Sequence, residues 1–173
     1  MYEEIEHAVQ SGDAAKVDRA LADMKDRFGR TTYAQQAGLL AAKAYEEKGN
    51  IDSARAALSW VAEKSSDPGY QAVAKLRLAA ILLDKKAYDE ALQQVSGSFP
   101  KDFGGLVADR RGDIFLAQGK KAEAKAEYEK AYKGLDERAE YRRLVEVKLN
   151  ALGVDPAAAP LNIATAQEAG SPK

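Results

Sequence analysis

Apolar and polar positions alternate along this chain with the period of an α-helix. The helical segments are rich in Ala, Leu, Lys and Glu and poor in β-branched residues, a composition that favours helix almost throughout. Short turns interrupt them, and each turn leads into a second helical segment. The clearest turns contain Gly49 and Gly119, a third lies near Lys86, and a weaker one opens the chain at Gly12. The pattern predicts an all-α fold built from helix pairs.

The helix pairs repeat at a nearly constant interval. A small or apolar position on each second helix recurs at spacings of 37, 37 and 33 residues, at Val17, Ala54, Ala91 and Ala124. A tetratricopeptide unit has a period of about 34 residues, and each pair leaves an apolar face that only a stacked neighbour can bury. We therefore predict a tetratricopeptide-like α-solenoid of about four helix pairs. Gly112 lies where the fourth pair needs a small residue at its helix crossing.

Helix-capping signals agree with this phasing. Thr32 and Gln35 are spaced as a capping box before the second pair, and Asp67 with Pro68 forms a cap and a first-turn proline before the third. Residues 99–105, which end in two glycines read as a turn, are expected to form a loop before the fourth pair.

A helix without a partner follows the fourth pair, at about residues 136–152. Its apolar residues form one stripe at helical spacing: Tyr141, Leu144, Val145, Leu149 and Leu152. We expect this helix to cap the last open face of the solenoid. The repeat domain then spans residues 1–152. Residues 153–173 are rich in Ala and Pro and lack an apolar stripe, so they are expected to form a mostly disordered tail.

Charge and composition narrow the function. The 26 basic and 27 acidic residues leave a net charge of −1, which argues against binding nucleic acid or a membrane surface through a basic face. The absence of cysteine excludes disulfides, thiolate metal sites and cysteine nucleophiles. No apolar run approaches the ~20 residues of a membrane-spanning helix, and the N-terminus lacks the apolar core of a signal peptide.

Few residues are candidates for catalysis or metal binding. His7 is the only histidine, so a multi-histidine metal site is excluded, and we expect His7 at the surface or partly packed. Asp109 and Asp113 are four residues apart on one helix, and we expect them on a solvated face beside Arg110 and lysine residues. The alternative is that the paired carboxylates bind a cation or exchange protons. We predict that the chain is not an enzyme and binds no metal or cofactor; a small hydrolase or metalloenzyme on a helical scaffold is the alternative.

Six aromatic residues fall at or beside predicted core positions, where packing explains them: Tyr45, Trp60, Tyr88, Phe115, Tyr128 and Tyr132. Tyr2, Tyr33 and Tyr70 lie near helix starts and are more open to a binding role.

One segment of the fourth pair carries a family resemblance. The run from Arg111 to Ala124 resembles the signature of the YfgM-like proteins, tetratricopeptide-containing ancillary subunits of the bacterial SecYEG translocon. Residues 142–152 and the loop at Phe99-Pro100 are also similar to that family, and the resemblance covers roughly residues 2–153. It implies a periplasmic domain, held to the inner membrane by one N-terminal membrane-spanning helix that is absent from this sequence. It further implies association with SecYEG, with a PpiD-like periplasmic chaperone and with secreted polypeptides.

In a tetratricopeptide array the first helix of each pair lines a concave groove. The phasing places ten residues in this groove: Gln36, Leu39, Lys43, Val73, Leu76, Leu83, Leu106, Asp109, Asp113 and Leu116. They are mostly apolar, so a carboxylate clamp of Lys, Asn and Arg is not expected. An apolar middle and an acidic C-terminal end suit an apolar or basic partner segment. Alternatively, neighbouring helices cover some of these leucines.

The function predicted from the sequence is a non-enzymatic, chaperone-like accessory factor that binds proteins at the translocon and takes neither nucleic acid nor a small-molecule substrate. The alternative is a tetratricopeptide scaffold for another envelope process, such as outer-membrane assembly or cell division.

Overall fold

The computed structural model describes residues 2–158. Over that range the chain forms nine α-helices, one 3-10 turn and no strand, which confirms the predicted all-α solenoid. The helices are α1 (Tyr2–Ser11), α2 (Ala14–Phe28), α3 (Thr32–Glu47), α4 (Ile51–Lys64), α5 (Pro68–Asp84), α6 (Tyr88–Gln94), α7 (Gly104–Ala117), α8 (Lys121–Gly134) and α9 (Glu140–Ala151). Residues 159–173, which make up most of the predicted tail, lie outside the described range.

The core follows the predicted repeat phasing. The repeated position on each second helix is buried, and so is the apolar residue four positions later; these residues are Val17, Leu21, Ala54, Leu58, Ala91, Val95, Ala124 and Tyr128. Gly112 lies against Tyr128, and a Cβ added to this glycine would be 2.5 Å from the ring Cε1 atom. Only glycine fits there without a shift, because interiors are already close-packed.

The turns within the pairs end the first helices in the left-handed conformation. Gly49 after α3 and Gly119 after α7 have φ of +74° and +78°, as expected for residues just past a helix C-terminus. Lys86 occupies the equivalent place after α5 with φ of +60°. The third pair therefore holds an ordinary residue in a conformation that favours glycine.

The predicted cap of α5 is confirmed, and the predicted cap of α3 is wrong by one residue. The Asp67 carboxylate accepts the amide N–H of Gly69 at 2.7 Å, with Pro68 next in the chain. At α3 it is Thr31, not Thr32, whose hydroxyl accepts a backbone N–H. Gln35 does not complete a capping box, because its side-chain amide donates to the carbonyl of residue 29 at 2.9 Å instead.

The predicted loop at residues 99–105 is mostly helical. Lys101–Phe103 is a 3-10 turn, and α7 begins at Gly104. Gly105 is not in a turn: it lies inside α7, and a Cβ there would be 2.7 Å from the Leu135 Cγ atom. Gly105 is needed because two helices pack closely there. Two glycines in sequence are equally compatible with such a contact and with a turn, so the sequence alone did not separate the two.

The third pair departs from the other three. Its second helix, α6, has 7 residues, whereas α2, α4 and α8 have 15, 14 and 14. The chain then continues as a non-helical segment and the 3-10 turn. Phe99 and Phe103 from this segment pack against an apolar cluster shared by α5, α6 and α7, and so fill space that a full-length second helix occupies elsewhere.

Helix α9 caps the last pair, as predicted, but starts at Glu140 rather than near residue 136. Val145 and Leu149 are buried against α7 and α8, and Val154, just beyond the helix, packs on the same cluster. Leu144 was assigned to the buried stripe, and that assignment is wrong because 47% of it is exposed.

Candidate functional site

The first helices of successive pairs lie side by side and form one surface. Helix α3 packs against α1 and α5, and α5 packs against α7. The chain reverses direction within each pair, so the second helices form the opposite surface, as in other stacked-pair solenoids. The three regions of the predicted groove differ in what joins their helices.

Polar contacts join α3 to α5. The Gln36 side-chain amide donates to the Tyr70 hydroxyl at 2.8 Å. Arg77 donates to the backbone carbonyl of Leu39 at 3.0 Å and pairs with Glu46 at 3.1 Å. Two predicted groove residues, Gln36 and Leu39, therefore take part in the junction between pairs.

The exposed margin of α3 holds a third predicted residue. Lys43 is exposed and forms a long ion pair of 3.8 Å with Glu47. Such an exposed pair contributes little to stability, so Lys43 remains accessible to a partner.

The junction of α5 with α7 is apolar. Val73, Leu76, Leu83 and Leu106 are all half-buried, and Leu76 and Leu83 pack on the apolar cluster between these helices. No hydrogen bond or ion pair between α5 and α7 occurs in the described part of the chain. The centre of the predicted groove is therefore an apolar surface that neighbouring helices cover in part. It lies between the two alternatives from the sequence, a fully open groove and leucines buried by their neighbours.

At the C-terminal end, α9 covers the two aspartates. The Asp109 side chain is 0% exposed. Lys148 from α9 places its Nζ atom 2.7 and 2.9 Å from the two Asp109 carboxylate oxygens and 2.7 Å from Asp113 Oδ1. The Tyr141 hydroxyl donates to Asp109 at 2.6 Å, and the Tyr128 hydroxyl donates to Asp113 at 2.7 Å. We call these five residues the Asp109 network.

The Asp109 network overturns two expectations from the sequence. The groove has no acidic end, because Lys148 and Arg110 balance the charges of Asp109 and Asp113. Asp109 is not on a solvated face. The carboxylate oxygens are occupied by lysine and tyrosine donors rather than free for a cation, and no group of three or more His, Asp or Glu residues within 2–158 is arranged to hold a metal.

The phenols of the network act as fixed hydrogen-bond donors. Burial, and next the hydrogen bond to Asp113, raises the pKa of Tyr128 well above its ordinary value. Burial and the hydrogen bond to Asp109 raise the pKa of Tyr141 in the same way. Both phenols keep their protons at neutral pH, so the network stabilises the fold and does not exchange protons.

Two arginines on this surface, Arg77 and Arg110, were not among the predicted groove residues. Arg77 and Arg110 follow Val73 and Leu106 by four residues, so each lies on the same helix face as a predicted groove residue. The Arg110 Nε–H is buried without a hydrogen-bond partner, and its guanidinium lies 3.7 Å from Asp113. Their four-residue spacing from predicted groove residues was the feature of the sequence that could have identified them.

The remaining candidates lie apart from this surface or at its end. Leu116, near the end of α7, is 38% exposed. His7 is exposed on α1 and lines a polar cleft of about 610 Å³ between α1 and α2. Trp60 packs against the core of the first two pairs, as predicted, and Lys25 lies 5.0 Å from its ring centroid.

Comparisons with known proteins agree with the repeat architecture. A family model described as a tetratricopeptide repeat-like domain matches residues 1–154. A Neisseria gonorrhoeae protein named ancillary SecYEG translocon subunit is 30% identical over 148 residues, which are 86% of this chain and 71% of that relative. Proteins of the same name from Escherichia coli and Haemophilus influenzae are each 29% identical. The matches cover 72% and 75% of this chain but only 60% and 63% of those two relatives.

Within the described residues, no helix is long and apolar enough to cross a membrane.

Proposed function

Because the chain belongs to the tetratricopeptide repeat-like family that includes the ancillary SecYEG translocon subunits, we propose that it is a non-enzymatic accessory factor of the translocon. In this proposal it binds polypeptides on the periplasmic side of the bacterial inner membrane and assists secreted proteins there. A PpiD-like chaperone is a further proposed partner. The observation that best supports this proposal is the apolar surface at the α5–α7 junction. It is flanked by the polar contacts between α3 and α5 on one side and by the Asp109 network on the other.

The chemistry of this surface favours an uncharged, apolar partner segment. Val73 and Leu106 offer half-buried aliphatic surface, and a partner that covers them removes more of it from water. The basic segment suggested by the sequence is not favoured, because Lys148 and Arg110 balance the charges of the two aspartates.

The test is photocrosslinking in native membranes, with the protein expressed in its own host. A photoreactive residue is placed at Leu106 or at the exposed Leu116, and a matched control at Lys125, which is exposed on α8. Adducts with SecYEG components or secreted chains from the first two positions, and not from the third, are expected. Equal adducts from position 125, or none from 106 and 116 in a folded protein, contradict the proposal.

A substitution pair separates binding from folding. Leu116 is the more exposed of the two leucines, whereas Leu76 packs on the apolar cluster between α5 and α7. Leu116→Lys is expected to weaken crosslinking and leave the melting temperature unchanged. Leu76→Lys is expected to lower the melting temperature, because it places a charge against an apolar cluster. If Leu116→Lys also unfolds the protein, that part of the surface is core rather than a binding site.

A further inference from the structure

A second apolar surface lies at the N-terminal end of the solenoid, where α1 begins, α2 ends and α3 begins. It is a cleft of about 260 Å³ lined by Tyr2, Met24, Phe28, Thr31 and Tyr33. Met24 is buried and forms its floor. The tight connection between α2 and α3 brings the side chains of residues 28 and 33 to the same end of the molecule.

The aromatic rings of this cleft are unusually open. Tyr33 is 65% exposed and Phe28 is 41% exposed, in a domain whose other aromatic residues are at least half-buried. The Tyr2 and Tyr33 ring centroids are 6.1 Å apart, with the rings tilted by 59°. This is a favourable aromatic geometry that holds both rings in place. Exposed apolar surface with fixed geometry is typical of an interaction site.

The polar group at the cleft is already satisfied. The Thr31 hydroxyl donates to the Phe28 carbonyl at 2.8 Å and accepts the Ala34 N–H at 3.3 Å. The cleft walls therefore offer mainly hydrocarbon and aromatic surface to an incoming group. An aliphatic or aromatic side chain fits this chemistry, and a volume of this size holds one or two of them.

Two arginines give the cleft a charged rim. The Arg27 guanidinium lies 5.8 Å from the Phe28 ring centroid, and Arg30 is exposed in the connection to α3. Neither arginine forms an ion pair with any described residue, so both are available to an incoming carboxylate. On the opposite rim, burial of the phenol, and next the charge of Glu6, raise the pKa of Tyr2.

We propose that this cleft is a docking site for a polypeptide segment that inserts one apolar side chain between the aromatic rings and directs neighbouring carboxylates to Arg27 and Arg30. The site is separate from the α5–α7 surface, and the proposal does not depend on that surface or on the translocon. A polypeptide is favoured over an anionic lipid surface, because it can direct a few carboxylates to Arg27 and Arg30 and keep them away from the exposed Glu3 and Glu6 beside Tyr2. A continuous layer of lipid phosphates would meet both glutamates and be repelled by them.

The test is an NMR titration of the isotopically labelled chain with synthetic peptides. One peptide carries a central Leu-Trp-Leu core with two aspartates on each side, and its matched partner carries lysines instead. The aspartate peptide is expected to shift the amide signals of residues 2, 28 and 33, and to bind about tenfold more tightly than the lysine peptide. Equal affinities, or shifts confined to the concave surface, overturn the proposal.

Three variants locate the interaction. Tyr33→Ser removes an exposed ring and is expected to weaken the aspartate peptide by about tenfold without changing the melting temperature. Arg30→Glu is expected to reverse the preference between the two peptides. Val147→Ser changes an exposed apolar residue on α9, at the far end of the solenoid, and serves as the control with unchanged affinity. Affinities unaffected by Tyr33→Ser and Arg30→Glu overturn the proposal.

Phosphatidylglycerol vesicles distinguish the lipid alternative. If they shift the same amide signals and displace the aspartate peptide, the cleft binds a membrane surface and the peptide proposal is wrong. If they leave the signals unchanged while the peptide binds, the proposal stands.

Discussion

Helix α7 is held by two junctions of opposite chemistry. Toward α5 the contact is apolar: Leu82 and Ile114 are buried there, and no hydrogen bond or ion pair joins the two helices in the described chain. Toward α9 the contact is the Asp109 network, in which one lysine and two phenols satisfy two carboxylates. Apolar packing therefore holds one side of α7, and hydrogen bonds to buried carboxylates hold the other side.

The difference teaches how each end of the array is specified. Apolar contact is non-directional, so it tolerates small shifts between pairs. A buried carboxylate stabilises the fold only while its partners stay in place, and it becomes costly when one of them is removed. We therefore expect the α9 junction to fix the register of the last helices, and the α5–α7 junction, beside the shortened α6, to be the one that adapts to the proposed partner.

The largest expected effect comes from removing the cation of the network. Lys148→Met leaves Asp109, which is 0% exposed, with Tyr141 as its remaining side-chain donor. We expect a loss of ~3–5 kcal/mol in the free energy of unfolding, measured by urea denaturation, because an uncompensated charge stays buried. Lys43→Met, which removes a lysine whose side chain is 69% exposed, is the matched control and is expected to leave the curve unchanged.

A second substitution shows whether charge burial is the cause. Adding Asp109→Asn to the Lys148→Met variant replaces the buried charge with a neutral amide, so most of the lost stability is expected to return. If the double variant is as unstable as Lys148→Met alone, the loss comes from packing of the lysine stem and the contrast between the two junctions fails.

The sequence predicted the packing of these pairs better than their polar contacts. The need for a small residue at Gly112 followed from repeat phasing, because the two helices that cross there belong to the same repeat. The pairing of Asp109 with Lys148 spans 39 residues and depends on how α9 is rotated on the last pair. The spacing of apolar residues does not determine that rotation, and Leu144 was placed on the wrong face of α9 for the same reason.

The groove was predicted only in part. Helical spacing placed Val73 and Leu106 on one surface but did not reveal that Gln36 and Leu39 would be used in contacts between α3 and α5.

The second-largest effect tests the α9 side of α7 without changing a charge. Gly112→Leu places its side chain against Tyr128, whose hydroxyl is tied to Asp113 at 2.7 Å, so the ring cannot move away without breaking the network. We expect a loss of ~1–3 kcal/mol in the free energy of unfolding from overpacking. Gly104→Ala, at a position with open space around the added Cβ, is the control. Equal urea curves for both variants would mean that Tyr128 can move away from residue 112 at little cost to the network.

Alkaline pH is a milder way to open the same junction. The pKa values of Tyr128 and Tyr141 are raised in the folded chain, first by burial. Their stabilising effect is therefore complete below the ordinary tyrosine pKa of 10.0 and is lost as the pH rises above it. We expect the melting temperature to fall above that pH, and to fall less steeply in Tyr141→Phe. Tyr33→Phe, which changes an exposed phenol, should keep the parent slope; an equally reduced slope would refute the assignment to the network.

The smallest expected effect is a gain in stability from a substitution beside the apolar α5–α7 junction. Lys86, in the turn between α5 and α6, has φ of +60°, whereas glycine occupies the equivalent turns after α3 and α7. An L-residue is strained in this region and glycine is not, so Lys86→Gly is expected to raise the free energy of unfolding by ~0.5–1 kcal/mol. Lys86→Ala keeps the strain and is expected to give no such gain. If the stabilised variant also loses crosslinks from position 106, the α5–α7 junction needs its looseness to accept a partner; unchanged crosslinks would show that its apolar surface is sufficient.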